Sequence, residues 1–194
     1  MISVFFSAIP WALPGTVALS LVSVLVAVRL AARTGANAFL IWAFLSCAGG
    51  YLSVTTTPST SGGFWGRSRT ASLMVSLPSP RDLTSLTSES LNLWICVPLG
   101  FTALLLALNF RSWIPLAAAA GLPLMAEGTQ WALPVLGRAG FLLSDAITNW
   151  IGVALGVGLA LTVAMPFAAW SRQPGARAKQ STRGLVHEDR EAAT

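Results

Sequence analysis

Apolar residues fall into five long blocks along the chain, divided by short polar breaks and one long one. The first runs from about Gly15 to Ala32, with Pro10, Trp11 and Pro14 ahead of it and Arg29 and Arg33 at its close. The second runs from about Asn37 to Thr55 and contains Trp42 and Cys47. The third, from about Leu91 to Leu108, opens with Glu89, Ser90 and Asn92 and carries Val97-Pro98-Leu99-Gly100-Phe101. Asn109 to Ser112 reads as a tight connection into the fourth, Trp113 to Trp131, which holds Pro115, Gly121 and Pro123. After a turn from Pro134 to Gly140, the fifth runs from about Ser144 to Ala169, and Trp170 and Arg172 mark its exit. About 20 apolar residues suffice for a helix to cross the hydrocarbon core, so the pattern predicts an all-α transmembrane bundle of about five spans. Pro98 is expected to kink the third, because it lacks an amide donor and clashes with the preceding turn. Membrane helices tolerate this when neighbours satisfy the freed carbonyl.

The long break, Thr56 to Ser88, is rich in Ser, Thr, Pro and Gly and includes Arg67, Arg69, Arg81 and Asp82. It reads as a polar loop, in which Leu73 to Leu77 is too short to span and fits an interfacial turn. Residues 171–194 are polar and charged and read as a disordered tail behind a bundle over residues 1–170.

Composition agrees. The chain is 54% hydrophobic and 10% charged, and its mean hydropathy is +0.68; a soluble domain carries roughly a quarter charged residues. The net charge of +5 comes from scattered basic residues and a tail beside a membrane segment, a pattern of orientation and not of nucleic-acid binding. Residues Met1 to Val28 carry no charge, so the basic start of a cleavable signal peptide is missing. Cys47 and Cys96 sit inside apolar runs with no metal or redox spacing and read as small core residues. The one histidine, His187, lies in the tail, which argues against His-ligated metals and against Ser/His or Cys/His catalysis. No cofactor is implied.

With five spans the termini lie on opposite sides. Arg29, Arg33, Arg111, Arg172, Arg177, Lys179, Arg183 and Arg190 fall on one face, and Arg67, Arg69, Arg81 and Arg138 on the other. The positive-inside rule then predicts a multi-pass plasma-membrane protein with the N-terminus outside and the C-terminus cytoplasmic.

That topology brings together the polar residues of one stretch. Outside the tail the acidic residues are Asp82, Glu89, Glu127 and Asp145. A carboxylate at mid-helix costs about 2.5 to 3.5 kcal/mol on insertion scales and less near an end. Glu127 and Asp145 flank Arg138, the obvious partner. Asn92, Glu127, Gln130, Arg138, Asp145 and Asn149 all fall at the outer ends of consecutive helices. At about 3.6 residues per turn, Asp145, Asn149, Gly152 and Gly156 form one stripe of the fifth helix. Its lower half, Gly152-x-x-x-Gly156, permits close helix approach, and Pro98 and Gly100 of the third helix are expected to share in that packing surface. Glu127 and Gln130 share a face of the fourth. The economical picture is a polar pocket at the outer surface, floored by tight packing.

Plainer readings stand beside this one. Asp145 after Ser144 fits a helix cap opposing the dipole. A Glu127–Arg138 pair can serve architecture alone. Asn92 and Asn149 can be interhelical hydrogen bonders worth roughly 0.6 kcal/mol each. Trp11, Trp94, Trp113, Trp131 and Trp170 fit an interfacial belt.

The segment Asn92-Leu-Trp-Ile-Cys-Val-Pro98-Leu-Gly100-Phe101 resembles the N-x-x-x-F-x-P-x-G-F segment of the VanZ-like family. Glu127-Gly-Thr-Gln130 is similar to its E-x-x-Q. Gly137-Arg138 followed by Asp145, Asn149, Gly152 and Gly156 is similar to its G-R and D-x-x-x-N-x-x-G-x-x-x-G close. The resemblance spans about residues 89–161. Cys96 stands where an aromatic is usual, and Phe141 to Ser144 lacks an Asp that members often carry. The resemblance implies a small polytopic bacterial envelope protein, the founding member being associated with low-level resistance to the glycopeptide teicoplanin. It names no reaction.

Three functions follow, in order of preference. The first is an envelope protein whose outer polar pocket engages a lipid-linked precursor or glycopeptide headgroup. The second is a small proton-coupled transporter or transporter subunit, which would favour midplane carboxylates and an inverted repeat, neither of which is visible. The third is an intramembrane enzyme acting on a lipid-linked substrate with Glu127 or Asp145 as acid or base. No nucleophile set or phosphate loop supports that, so enzyme activity is the least favoured. The lipid bilayer is the common partner.

Overall fold

The computed structural model describes residues 10–58, 71–73, 88–133, 136 and 141–171. Five helices make up most of the described residues: α1 (Ala12–Thr34), α2 (Ala38–Thr56), α3 (Ser88–Phe110), α4 (Ile114–Ala132) and α5 (Leu143–Ser171). Two short strands, β1 (Ala71–Ser72) and β2 (Phe141–Leu142), pair in parallel, Ala71 with Phe141 and Ser72 with Leu142. The fold is all-α. Among the described residues, four helices are long and apolar enough to cross a membrane, over Ala12–Thr34, Ala38–Thr56, Ser90–Phe110 and Leu143–Ala164. The remaining helix, α4, has the length, but Pro115, Pro123, Glu127 and Gln130 dilute its apolar character. Each helix lies within a few residues of its expected bounds.

Local chemistry sets the turns. Pro14 sits in the first turn of α1, where an amide donor is not needed. Gly35 ends α1 in the left-handed region at φ 70°, and its N–H bonds the Ala31 carbonyl; a Cβ would be strained there. Two residues on, the Asn37 side chain caps α2 by accepting from the Phe39 and Leu40 amides at 2.9 and 3.3 Å. The Asn37 amide itself donates to Asn109 Oδ1 at 2.9 Å. This bond ties the α1–α2 turn to the α3–α4 turn at one end of the bundle. At the other end, Thr55 and Thr56 donate their hydroxyls to the Tyr51 and Leu52 carbonyls at 2.8 and 2.7 Å, so neither faces lipid unsatisfied.

Small residues let the helices approach. On α1 and α2, the Ser20 and Ser46 hydroxyls lie 3.0 Å apart, Trp42 Nε1 donates to the Ser20 carbonyl at 3.2 Å, and Ser53 donates to the Ala12 carbonyl at 2.8 Å. A Cβ on Gly49 would stand 2.9 Å from Leu19 Cβ. Between α3 and α5 the approach is closer still. A Cβ on Gly152 would overlap the Leu93 carbonyl, one on Gly156 the Val97 carbonyl, and one on Gly100 the Val153 carbonyl. Pro98, expected in the same packing surface, is exposed instead. The face of α3 that meets α5 carries residues 93, 96, 97 and 100, and position 98 is turned away from it. The apolar core of the bundle includes Ile41 and Phe44 of α2, Leu99, Ala103 and Leu106 of α3, and Val153 of α5.

The chain divides after Ala160 into a first compact unit, residues 1–160, and a second, residues 161–194, whose described part is the end of α5. The tail beyond Ser171 and most of the 56–88 loop lie outside the described residues.

Candidate functional site at one end of the bundle

The end of the bundle opposite the Asn37–Asn109 tie collects the polar groups. Glu127, in the last turns of α4, is only 3% exposed. Its Oε2 accepts the Leu142 backbone N–H at 2.9 Å. A carboxylate near a helix C-terminus meets the unfavourable end of that helix's dipole. Here the same carboxylate reaches the residue just before α5, whose N-terminal end favours negative charge. Glu127 is therefore badly placed for its own helix and well placed for the next. Asp145, half-buried, lies in the first turn of α5 and meets the same favourable end.

One turn deeper, Asn149 is 1% exposed. Its Nδ2 donates to the Tyr51 hydroxyl at 3.0 Å, and its Oδ1 accepts from Cys96 Sγ at 3.5 Å. The bridge joins α5, α2 and α3 through three buried polar side chains. Tyr51 has no exposed surface. Gln130 extends the cluster by donating Nε2 to the Thr55 carbonyl at 2.9 Å, linking α4 to α2.

Of the sequence-predicted residues, Glu127, Gln130, Asp145 and Asn149 thus lie at one end, around Tyr51. Asn92 is half-buried on α3, one turn before Cys96. Arg138 and Gly137 lie outside the described residues. Gly152 and Gly156 continue the Asn149 stripe inward against α3. Sequence reasoning missed two members. Tyr51 is the chain's single tyrosine and sits in an apolar run, and a buried phenol usually finds a hydrogen-bond partner; that was an available signal. Cys96 carried a weaker one, since it stands one helical turn after Asn92. Thr55 contributes a backbone carbonyl, which side-chain identity does not reveal.

The chemistry on offer is hydrogen bonding and charge. Among the described residues no group of three or more His, Cys, Asp or Glu could hold a metal ion. The fold and site define a polytopic α-helical membrane protein with a buried polar cluster toward one membrane face. No family model, curated protein or solved structure matches the chain.

Proposed function

We propose that this is a VanZ-like envelope protein whose polar cluster recognises the headgroup of a lipid-linked envelope precursor or of a glycopeptide, and so contributes to teicoplanin resistance. The observation that carries the reading is the burial of Glu127 at a helix mouth that also gathers Asp145, Asn149, Gln130 and Tyr51. Carboxylates and amides grouped near a membrane face suit a ligand that is polar at one end and anchored in lipid at the other. Arg138, between Glu127 and Asp145 in sequence, would supply the cation for an anionic headgroup. In this reading the mouth faces outward and the C-terminus is cytoplasmic, as the distribution of basic residues suggests.

The test is to express the wild-type chain and Glu127→Gln in a teicoplanin-susceptible bacterium and measure susceptibility alongside membrane abundance. Raised resistance with wild type, lost in a variant of equal abundance, supports the proposal. Unchanged susceptibility with well-expressed wild type removes it.

A further inference from the structure

We infer that the paired strands β1 and β2 form a strap closed over the polar cluster and latched by Glu127, and that a headgroup reaches the cluster only once the latch opens. The inference rests on the recognition proposed above and concerns what governs access to that site. The buried side of α4 includes Ala119, Pro123, Ala126 and Glu127. Beyond Glu127 the helix end is open, with Trp131, Ala132 and Leu133 exposed. Glu127 is nevertheless buried, and the Leu142 amide of β2 is seated on its carboxylate at 2.9 Å. β2 lies against α4 and directly precedes α5. It therefore stands at the end of the bundle where the cluster would otherwise open.

A carboxylate only 3% exposed is out of reach of a headgroup while β2 stays in place. What holds β2 there is local. One hold is β1, from the connection between α2 and α3, in parallel register with Ala71 opposite Phe141 and Ser72 opposite Leu142. Two residues per strand make a short ladder. Parallel pairing is slightly less stable per residue than antiparallel, and an isolated pair of strands is marginal even when longer. The other hold is the Leu142–Glu127 bond, whose ionised acceptor makes it roughly twice as strong as a neutral one. Glu127 is thus both the latch of the strap and a member of the site beneath it. A headgroup donor that takes over Oε2 frees Leu142, and with it the pairing that holds Ala71 and Ser72. Binding and opening are then coupled in both directions: a ligand on Glu127 favours the open strap, and a strap held shut opposes the ligand.

The experiment locks the strap. Neighbouring strands lie about 4.7 to 4.9 Å apart, within the Cα separation a disulfide bridges, and Ser72 and Leu142 are register partners. The full chain carries Ser72→Cys and Leu142→Cys in a background of Cys47→Ala and Cys96→Ala, in detergent micelles. Access to Glu127 is read with a water-soluble carbodiimide and glycine ethyl ester, the modified carboxyl being mapped by peptide mass spectrometry. The expected result is a disulfide on mild oxidation, with modification of Glu127 several-fold lower in the oxidised chain than in the reduced one. Ser72→Cys alone, oxidised and reduced in the same way, should show no difference. Glu127→Ala should slow disulfide formation several-fold. Failure of the disulfide to form, equal modification of Glu127 in the locked and reduced chains, or equal crosslinking with and without Glu127 overturns the inference. The locking assay needs no Glu127 variant, so it decides even if Glu127→Ala does not fold. It also needs no teicoplanin. Unchanged susceptibility would remove the headgroup reading and leave the strap's control of Glu127 standing, whereas unchanged modification on locking would remove the strap alone.

Discussion

Asn149 of α5 donates its amide to the hydroxyl of Tyr51 on α2 at 3.0 Å, although 98 residues separate them in the chain. Both side chains are almost wholly buried. The bond fixes the rotation of α5 relative to α2, because shifting either helix by one residue turns its polar group through roughly 100° toward lipid or core.

Tyr51→Phe should therefore destabilise the protein by more than its lost area suggests. Interhelical hydrogen bonds in membranes average about 0.6 kcal/mol and reach about 1.7. A buried amide left without its acceptor belongs at the upper end of that range. Tyr51→Phe combined with Asn149→Leu should recover part of the loss, since the orphaned amide is gone. Unfolding in detergent micelles provides the measurement. A neutral Tyr51→Phe would show that this bond does not hold the helices in register.

The glycines on α5 should separate sharply. Gly152 and Gly156 face backbone atoms of α3, which cannot move aside as a flexible side chain would. Even Gly152→Ala or Gly156→Ala should cost about 1 to 3 kcal/mol through overpacking. Gly158, two residues further, has nothing within 4 Å of an added Cβ. Gly158→Ala should be neutral or stabilising by about 0.5 to 1 kcal/mol through reduced backbone entropy. Thermal denaturation of the three variants decides it, and equal behaviour at 156 and 158 would contradict the packing described.

Topology gives a prediction that joins structure and charge. The Asn37–Asn109 bond sets the turns around 36 and 112 at one end. In a background of Cys47→Ala and Cys96→Ala, Ala36→Cys and Ser112→Cys should be labelled from the same side as Ala178→Cys. Ala139→Cys should be labelled from the opposite side. Labelling of positions 139 and 178 from one side would break the five-span arrangement.

Much of this was legible in the sequence, for identifiable reasons. Long apolar blocks specify membrane helices almost alone, because lipid leaves the backbone few alternatives. The stripe of residues 145, 149, 152 and 156 was legible because helical periodicity is regular. What it faced was not. Nothing in Gly152 names the Leu93 carbonyl as its neighbour, and the α1–α2 seam of Gly49, Ser46 and Ser20 has no distinctive spacing. Tyr51 escaped notice because its partner lies on a distant helix, although a lone phenol in an apolar run calls for one. The pairing of β1 with β2 depends on where a long polar loop returns, which local patterns do not encode. The cost of Glu127 at the end of α4 is visible in the sequence, whereas the favourable start of α5 beside it is not.

That double placement makes Glu127 the decisive residue for site against scaffold. Its Oε2 holds the Leu142 amide, and Glu127→Ala should leave that part-buried donor without its acceptor at a cost of about 1 kcal/mol. Glu127→Gln keeps one acceptor oxygen in reach, while losing the charge and exchanging the other oxygen for an NH2 donor. The lost dipole interaction is worth about 0.3 to 1 kcal/mol, or up to about 2 in a partly buried setting. If the residue is purely architectural, function should fall in the order of stability, with Gln close to wild type. If it serves a site, Gln should fold nearly normally and still lose whatever resistance the wild-type chain confers in the susceptibility test. Arg138 supplies the second arm. Were it the counterion of Glu127 and Asp145, Arg138→Ala would leave two like charges close together in a low-dielectric setting, and at least one carboxylate would take up a proton. Arg138→Ala should then be more damaging to folding than Glu127→Gln, because Asp145 can still satisfy the arginine in the latter. A double-mutant cycle between Glu127→Gln and Arg138→Ala measures the coupling directly. Additivity within about 0.3 to 0.5 kcal/mol would mean the two do not interact, leaving Glu127 to act through Leu142 and the start of α5.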